Sequence, residues 1–210
     1  MFSIPEPVSQ ITTKLEAAGF QAYLVGGCVR DLLMDRVPTD WDITTNARPE
    51  QIITLFPKTV YTNEYGTVTV VDENAPTPNL RHIEVTPFRL ESRYGDKRHP
   101  DQVSFSQNLS DDLKRRDFTI NSLSYSISNG QIIDLYEGQK DIKDKKIRAV
   151  GVPKERFQED ALRMLRAIRL ASELGFTIYP DTAESIKNNA NFLQYIAEER
   201  ILAEFNKILM

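Results

Sequence analysis

One cysteine and two histidines in 210 residues remove the soft side of metal chemistry. A lone cysteine makes no intrachain disulfide and no cysteine zinc site, and two histidines leave little for a histidine site. A metal in this chain must be held by carboxylates, which selects a hard ion such as Mg²⁺. Long apolar runs are also missing, since none approaches the roughly 18 residues that cross a bilayer. The start of the chain, Met1-Phe2-Ser3-Ile4-Pro5-Glu6-Pro7, lacks the basic-then-apolar order of a secretory signal. A soluble, cytoplasmic protein away from membranes is expected. Nine glycines and eleven prolines are too few for a fibrous or disordered chain. Positive charge is not in excess either: 26 basic residues face 30 acidic ones. That balance argues against a generic nucleic-acid binder.

What is present suits one large domain or two small ones, with 40% hydrophobic residues to build a core. Charge is uneven along the chain. Residues 1–110 hold 10 basic and 14 acidic side chains, residues 111–170 hold 13 and 10, and residues 171–210 hold 3 and 6. Half of the basic residues thus fall in the 60 central positions. Two readings fit: a solvated surface rich in both signs, or an anion site at the centre of an acidic protein.

Helix and strand signals alternate at first. Ser9 to Ala18 reads as a helix with Ile11, Leu15 and Ala18 on one face, closed by Gly19. Ala22–Val25 reads as a buried strand, followed by Gly26-Gly27 and a helix with Val29, Leu32 and Leu33. Asp40–Thr45 alternates as a strand does, and Pro49–Phe56 reads as a helix with proline near its start. Thr59–Tyr61, Thr67–Val71 and His82–Pro87 are β-rich. An α/β domain over about residues 20–135 follows from this alternation. The polar segment Glu91–Asp101 reads equally as a functional loop or an ordinary surface loop. From Pro153 the pattern turns helical: one helix from Pro153 to Ser172 with Phe157, Ala161, Met164, Leu165, Ile168 and Ala171 on its buried face, then helices over Asp181–Asn189 and Glu198–Leu209.

Four stretches carry chemistry. Gly26-Gly27-Cys28-Val29-Arg30 joins a strand to a helix, where two glycines let backbone N–H groups approach an anion that Arg30 can also reach. Gly-Gly turns are common, so this signal is weak by itself. Asp40-Trp41-Asp42 places two carboxylates on one side of a strand, about 7 Å apart, where a divalent ion relieves their repulsion and can serve phosphoryl transfer. Two surface aspartates would give the same pattern. Their place, 13 residues after the Gly-Gly turn, favours a nucleotidyltransferase. Glu84, alone among apolar neighbours on a later strand, is the third candidate carboxylate. Arg116-Asp117 sets a forked donor beside an acceptor, with Asn121 able to add an amide contact to a ribose or phosphate; a basic helix end before a cap would look alike. Finally, Asp160, Arg163, Arg166 and Arg169 form a polar stripe at helical spacing. Such a stripe can address the edge of a base, or form a salt-bridged solvated face.

In this order, Leu24-Val-Gly-Gly-Cys-Val-Arg-Asp31, Asp40-Trp-Asp42, Arg115-Arg-Asp-Phe-Thr-Ile-Asn121, Glu159-Asp-Ala-Leu-Arg163 and Glu199-Arg-Ile-Leu-Ala-Glu204 resemble the class II tRNA nucleotidyltransferases, the CCA-adding enzymes. Asp134–Asp141 resembles the family's hinge. The resemblance implies a polymerase beta-like α/β nucleotidyltransferase head with a mixed sheet over residues 1–140, and an all-α neck over 141–210 that carries a nucleotide-selecting helix. It implies Mg²⁺ on Asp40 and Asp42, and triphosphate contacts from Gly26, Gly27 and Arg30. It implies sugar contacts from Arg116 and Asp117 beside Asn121, and Asp160 and Arg163 as the template that selects CTP or ATP. Arg166 and Arg169 would support the nucleotide, and the 3′ end of tRNA would be extended as pyrophosphate leaves. The segment 91–101 would be the family's flexible loop. Poly(A) polymerases share the head and neck, but Asn63-Glu-Tyr-Gly-Thr-Val-Thr-Val70 lacks their basic signature; an A-adding enzyme and an idle nucleotide-binding fragment are the alternatives. Helical body and tail domains are expected from a longer chain or a partner chain, since the sequence ends within the last motif.

Overall fold

The structure, a computed structural model, describes residues 2–61, 66–92 and 102–209. The loop singled out above therefore lies, beyond residue 92, outside the described residues. Two compact units form. The first gathers residues 1–90, 104–113 and 123–135, and the second gathers 91–103, 114–122 and 136–210.

The first unit opens with α1 (Glu6–Ala17). It begins three residues before the expected Ser9, because prolines in a first turn lose no helical hydrogen bond. It ends at Gly19, whose φ of +86° lets Phe20 N–H reach back to the Leu15 carbonyl. Ala18 is exposed beyond the last turn, while Ile11 and Leu15 are buried as expected. There follow β1 (Ala22–Val25), α2 (Gly27–Leu33), β2 (Asp42–Thr45), α3 (Pro49–Leu55), β3 (Thr59–Tyr61), β4 (Val68–Val71) and β5 (His82–Pro87). Next come β6 (Arg89–Ser92), β7 (Gln102–Phe105), α4 (Leu109–Lys114), β8 (Leu123–Tyr125) and β9 (Ile132–Asp134).

Among the described residues the central sheet has seven strands in the order β3-β4-β5-β2-β1-β8-β9. Strands β2 and β5 run parallel and the neighbouring pairs antiparallel. Register sorts the side chains cleanly, because residues paired across strands share a face. Leu24, Ile43, Val85 and Ile83 fall on one face and are all buried, with α1 and α3 against the sheet. The other face carries Asp42, Thr44, Thr69, Glu84 and Thr86.

The second unit contains α5 (Gly138–Lys143), β10 (Lys146–Ile147), α6 (Pro153–Glu159), α7 (Leu162–Leu174), β11 (Thr177–Ile178), α8 (Pro180–Asn189) and α9 (Glu198–Leu209). Strands β10 and β11 form a short parallel pair beside these helices. The single helix expected from Pro153 to Ser172 is two helices. Asp160 sits between them in extended conformation (φ −139°, ψ 107°). Its carboxylate accepts the Leu162 N–H at 3.0 Å and starts α7 afresh. The break shifts the buried face: Phe157, Ala161, Leu162, Met164, Ala167 and Leu170 are buried, whereas Ile168 is exposed. Ile196 joins this core.

Candidate nucleotide-binding and catalytic sites

In the first unit, strand pairing brings distant motifs together. Antiparallel β1 and β2 pair Leu24 with Ile43, so the end of β1 meets the start of β2. The Gly26-Gly27 turn therefore lies beside Asp42, and Cys28 Sγ approaches the Asp42 carbonyl at 3.8 Å. Gly26 takes φ 82°, ψ −136°, a conformation only glycine adopts freely, and its N–H is fixed on the Leu123 carbonyl. Arg30 folds back over the turn, its guanidinium 3.6 Å from where a Gly27 Cβ would stand. It is not a bare cation: Asp31 accepts from it at 2.7 Å and 2.9 Å.

Asp42 is half-buried at the first position of β2, and parallel pairing sets Glu84 directly beside it on the same face. Asp40 precedes the strand, in a bend, and is exposed. The expected strand over Asp40–Thr45 thus shortens to Asp42–Thr45, while Trp41 between the two aspartates is buried and anchors them. These are hard oxygen donors of the kind Mg²⁺ takes. Among the described residues no three carboxylate, histidine or cysteine side chains already gather around one point. An ion there would draw Asp40 and Glu84, both exposed, toward Asp42.

In the second unit the basic stretch and the polar stripe interlock. Asp117 is buried, and both of its carboxylate oxygens accept hydrogen bonds. Oδ1 accepts the Phe118 N–H at 2.8 Å and the Asn121 amide at 3.4 Å. Oδ2 accepts Arg166 Nε and Nη2 at 2.9 and 2.8 Å. Burial pushes the Asp117 carboxyl up, but the Arg166 guanidinium outweighs it and holds the group at about 2. Arg163 donates to Glu159 at 2.6 Å and to the Arg115 carbonyl at 3.0 Å. Arg169 pairs with Glu173 and with Glu204. Asp160 pairs with Arg200 at 3.0 Å. Arg156, also on Glu159, completes a lattice of five arginines and five carboxylates: Asp117, Glu159, Asp160, Glu173 and Glu204. Glu173 and Glu204, from the acidic C-terminal stretch, thus answer part of the central positive excess of the sequence. A neutral lattice presents donors and acceptors at fixed places, which suits reading a base edge more than holding a polyanion.

The model of the poly A polymerase head domain matches residues 22–148, well over half of the chain. The chain belongs to the poly A polymerase head domain family. A second match, described as a probable RNA and SrmB-binding site of polymerase A, covers residues 175–210. Head-domain relatives include the CCA-adding enzyme of Lactiplantibacillus plantarum, 50% identical over 95% of this chain and 48% of that protein. The CCA-adding enzyme of Lactobacillus helveticus is 52% identical over 92% of this chain and 47% of its own length. The Bacillus stearothermophilus CCA-adding enzyme, solved in complex with CTP, superposes with a TM-score of 0.86 at 41% identity, over 98% of this chain and 49% of that one. The chain spans about half the length of the curated relatives it matches. As in that head-domain fold, the sheet here is mixed and seven-stranded. Among the described residues no helix is long and apolar enough to cross a membrane.

Sequence reasoning missed Arg156, Glu159, Glu173, Arg200 and Glu204 as members of the lattice. Glu159 stands in the Glu159–Arg163 motif and Arg200 and Glu204 in the Glu199–Glu204 motif, which are the signals that could have found those three.

Proposed function

We propose that residues 1–140 act as the head and 141–210 as the neck of a template-independent nucleotidyltransferase that adds CCA to the 3′ end of tRNA in the cytoplasm. CTP and ATP are the substrates and pyrophosphate is the leaving group. The observation that carries this reading is the register of β2 and β5, which sets Asp42 beside Glu84 next to the Gly26-Gly27 turn. The similarity to CCA-adding enzymes along nearly the whole chain supports it. In this reading Asp40 and Asp42, with Glu84, hold Mg²⁺. The ion supplies charge to activate the attacking oxygen and to stabilise the departing phosphate. Gly26, Gly27 and Arg30 hold the triphosphate, and Arg116 and Asp117 contact the sugar, with Asn121 steadying Asp117. Asp160 and Arg163 meet the base, and Arg166 and Arg169 brace them. The tRNA 3′-hydroxyl oxygen bonds to the α-phosphorus as the bond to pyrophosphate breaks, and the hydroxyl proton goes to solvent. A carboxylate acceptor at Asp160 favours the amino group of cytosine or adenine over the carbonyl of uracil or guanine.

The name of the matching head domain keeps A-addition as a second reading. Incubation with Mg²⁺, tRNA lacking CCA and labelled CTP or ATP separates the two. CTP incorporation is expected; ATP incorporation alone would favour A-addition, and incorporation of neither would overturn both. Asp40→Ala is expected to abolish incorporation with the fold retained, and activity within tenfold of the parent would sink the metal assignment.

A further inference from the structure

Asp160 and Arg163 are close in sequence, yet each is held by another residue. Arg163 spends Nη1 on the Glu159 carboxylate and Nη2 on the Arg115 carbonyl, so it does not orient Asp160. That role falls to α9. Arg200 Nη2 donates to Asp160 Oδ2 at 3.0 Å, while the Leu162 N–H donates to Oδ1 at 3.0 Å. The outermost torsion of an aspartate is soft and twofold. Two donors on its two oxygens, from different elements, fix the plane of the carboxylate. Each oxygen keeps a second lone pair for another donor. Arg200 is itself placed by the helix it sits on. One turn later Glu204 is buried on Arg169 at 2.7 Å and near Arg166 at 3.7 Å, which ties α9 to α7.

We propose that Arg200 is a positioning residue for base selection: it holds the Asp160 carboxylate in the orientation that accepts an amino group, and thereby separates CTP and ATP from UTP and GTP. The inference rests on the reading of Asp160 as the residue that meets the base. Loss of Arg200 leaves Asp160 on one donor, free to rotate, and its acceptor geometry blurs. In this role Arg200 reaches the base only through Asp160, the carboxylate it holds.

A double-mutant cycle in nucleotide binding tests this. Equilibrium dialysis with Mg²⁺ and labelled CTP or UTP is run on the parent chain, Arg200→Ala, Arg200→Lys, Asp160→Ala and the Asp160→Ala/Arg200→Ala double variant, each checked for folding by its melting curve. Arg200→Ala is expected to lower the CTP-to-UTP affinity ratio roughly tenfold, the scale of one hydrogen bond to a charged group. Arg200→Lys, which returns the charge, is expected to restore part of that ratio. In the Asp160→Ala background, removing Arg200 should change the ratio no further. If the alanine variant does not fold, Arg200→Gln, which keeps a donor without charge, takes its place with the same expectation. The proposal is overturned if the ratio stays within twofold of the parent while Asp160→Ala collapses it, or if the Arg200 effect persists without Asp160. If Asp160→Ala itself leaves the ratio intact, the base-reading role of Asp160 falls and this inference falls with it.

Discussion

Asp117 and Cys28 show how far one residue's chemistry depends on its neighbours. Held at about 2 against an ordinary value of 3.8, the Asp117 carboxyl contributes stability above pH 4 that is lost as pH falls through the folded value. The folded chain is therefore expected to lose about 2 kcal/mol between pH 4 and pH 2 through this group. Asp117→Asn should remove that pH-dependence while costing stability at neutral pH, because Arg166 loses its counter-charge. Urea unfolding midpoints at pH 5 and pH 2.5 measure both effects, and parallel pH profiles for the two proteins would contradict them. Cys28 is 2% exposed, and burial pushes its thiol up to about 11. Only the thiolate reacts. Iodoacetamide at pH 8 is expected to label the native chain at least about a hundredfold more slowly than the urea-unfolded chain, so labelling reports opening of the first unit.

At the level of elements, the carboxylate pair depends on parity. Asp42 and Glu84 share a face because β2 and β5 align them in register, and side chains alternate along each strand. One residue inserted between Ile83 and Glu84 should turn Glu84 to the apolar face and abolish incorporation, whereas two inserted residues should restore its direction. Activity unaffected by the single insertion would exclude Glu84 from the site. Strands β1 to β5, the Gly-Gly turn and most helices were legible in the sequence because each is written in local periodicity and punctuation; the short strands from β6 onward were not. The break at Asp160 was not. Apolar spacing runs on through Phe157, Ala161 and Met164 with no glycine or proline between, and only the capping habit of aspartate hints at a new start. The arginine lattice was legible only in its Arg163, Arg166 and Arg169 half. Two of its pairs, Asp160 with Arg200 and Arg166 with Asp117, span 40 and 49 positions, and no local pattern encodes them, whereas Glu159 and Glu173 lie about one helical turn from their arginines.

For the whole molecule, the two units are not two stretches of chain. The second takes residues 114–122 from between two parts of the first. Phe118 and Ile120, both fully buried, and Asp117, the partner of Arg166, come from that short segment. A fragment of residues 141–210 is thus expected to lack ordered tertiary structure, with helical circular dichroism well below that of the same residues in the intact chain. A cooperative melt of the fragment alone would show that 114–122 is dispensable. This interleaving also bears on inheritance and synthesis. The backbone passes from one unit to the other five times, so neither can be exchanged between relatives by a single crossover. On the ribosome the first unit lacks β8 and β9 until residue 135 has emerged. As something a gene can shuffle or a ribosome can finish in turn, the two units are one piece.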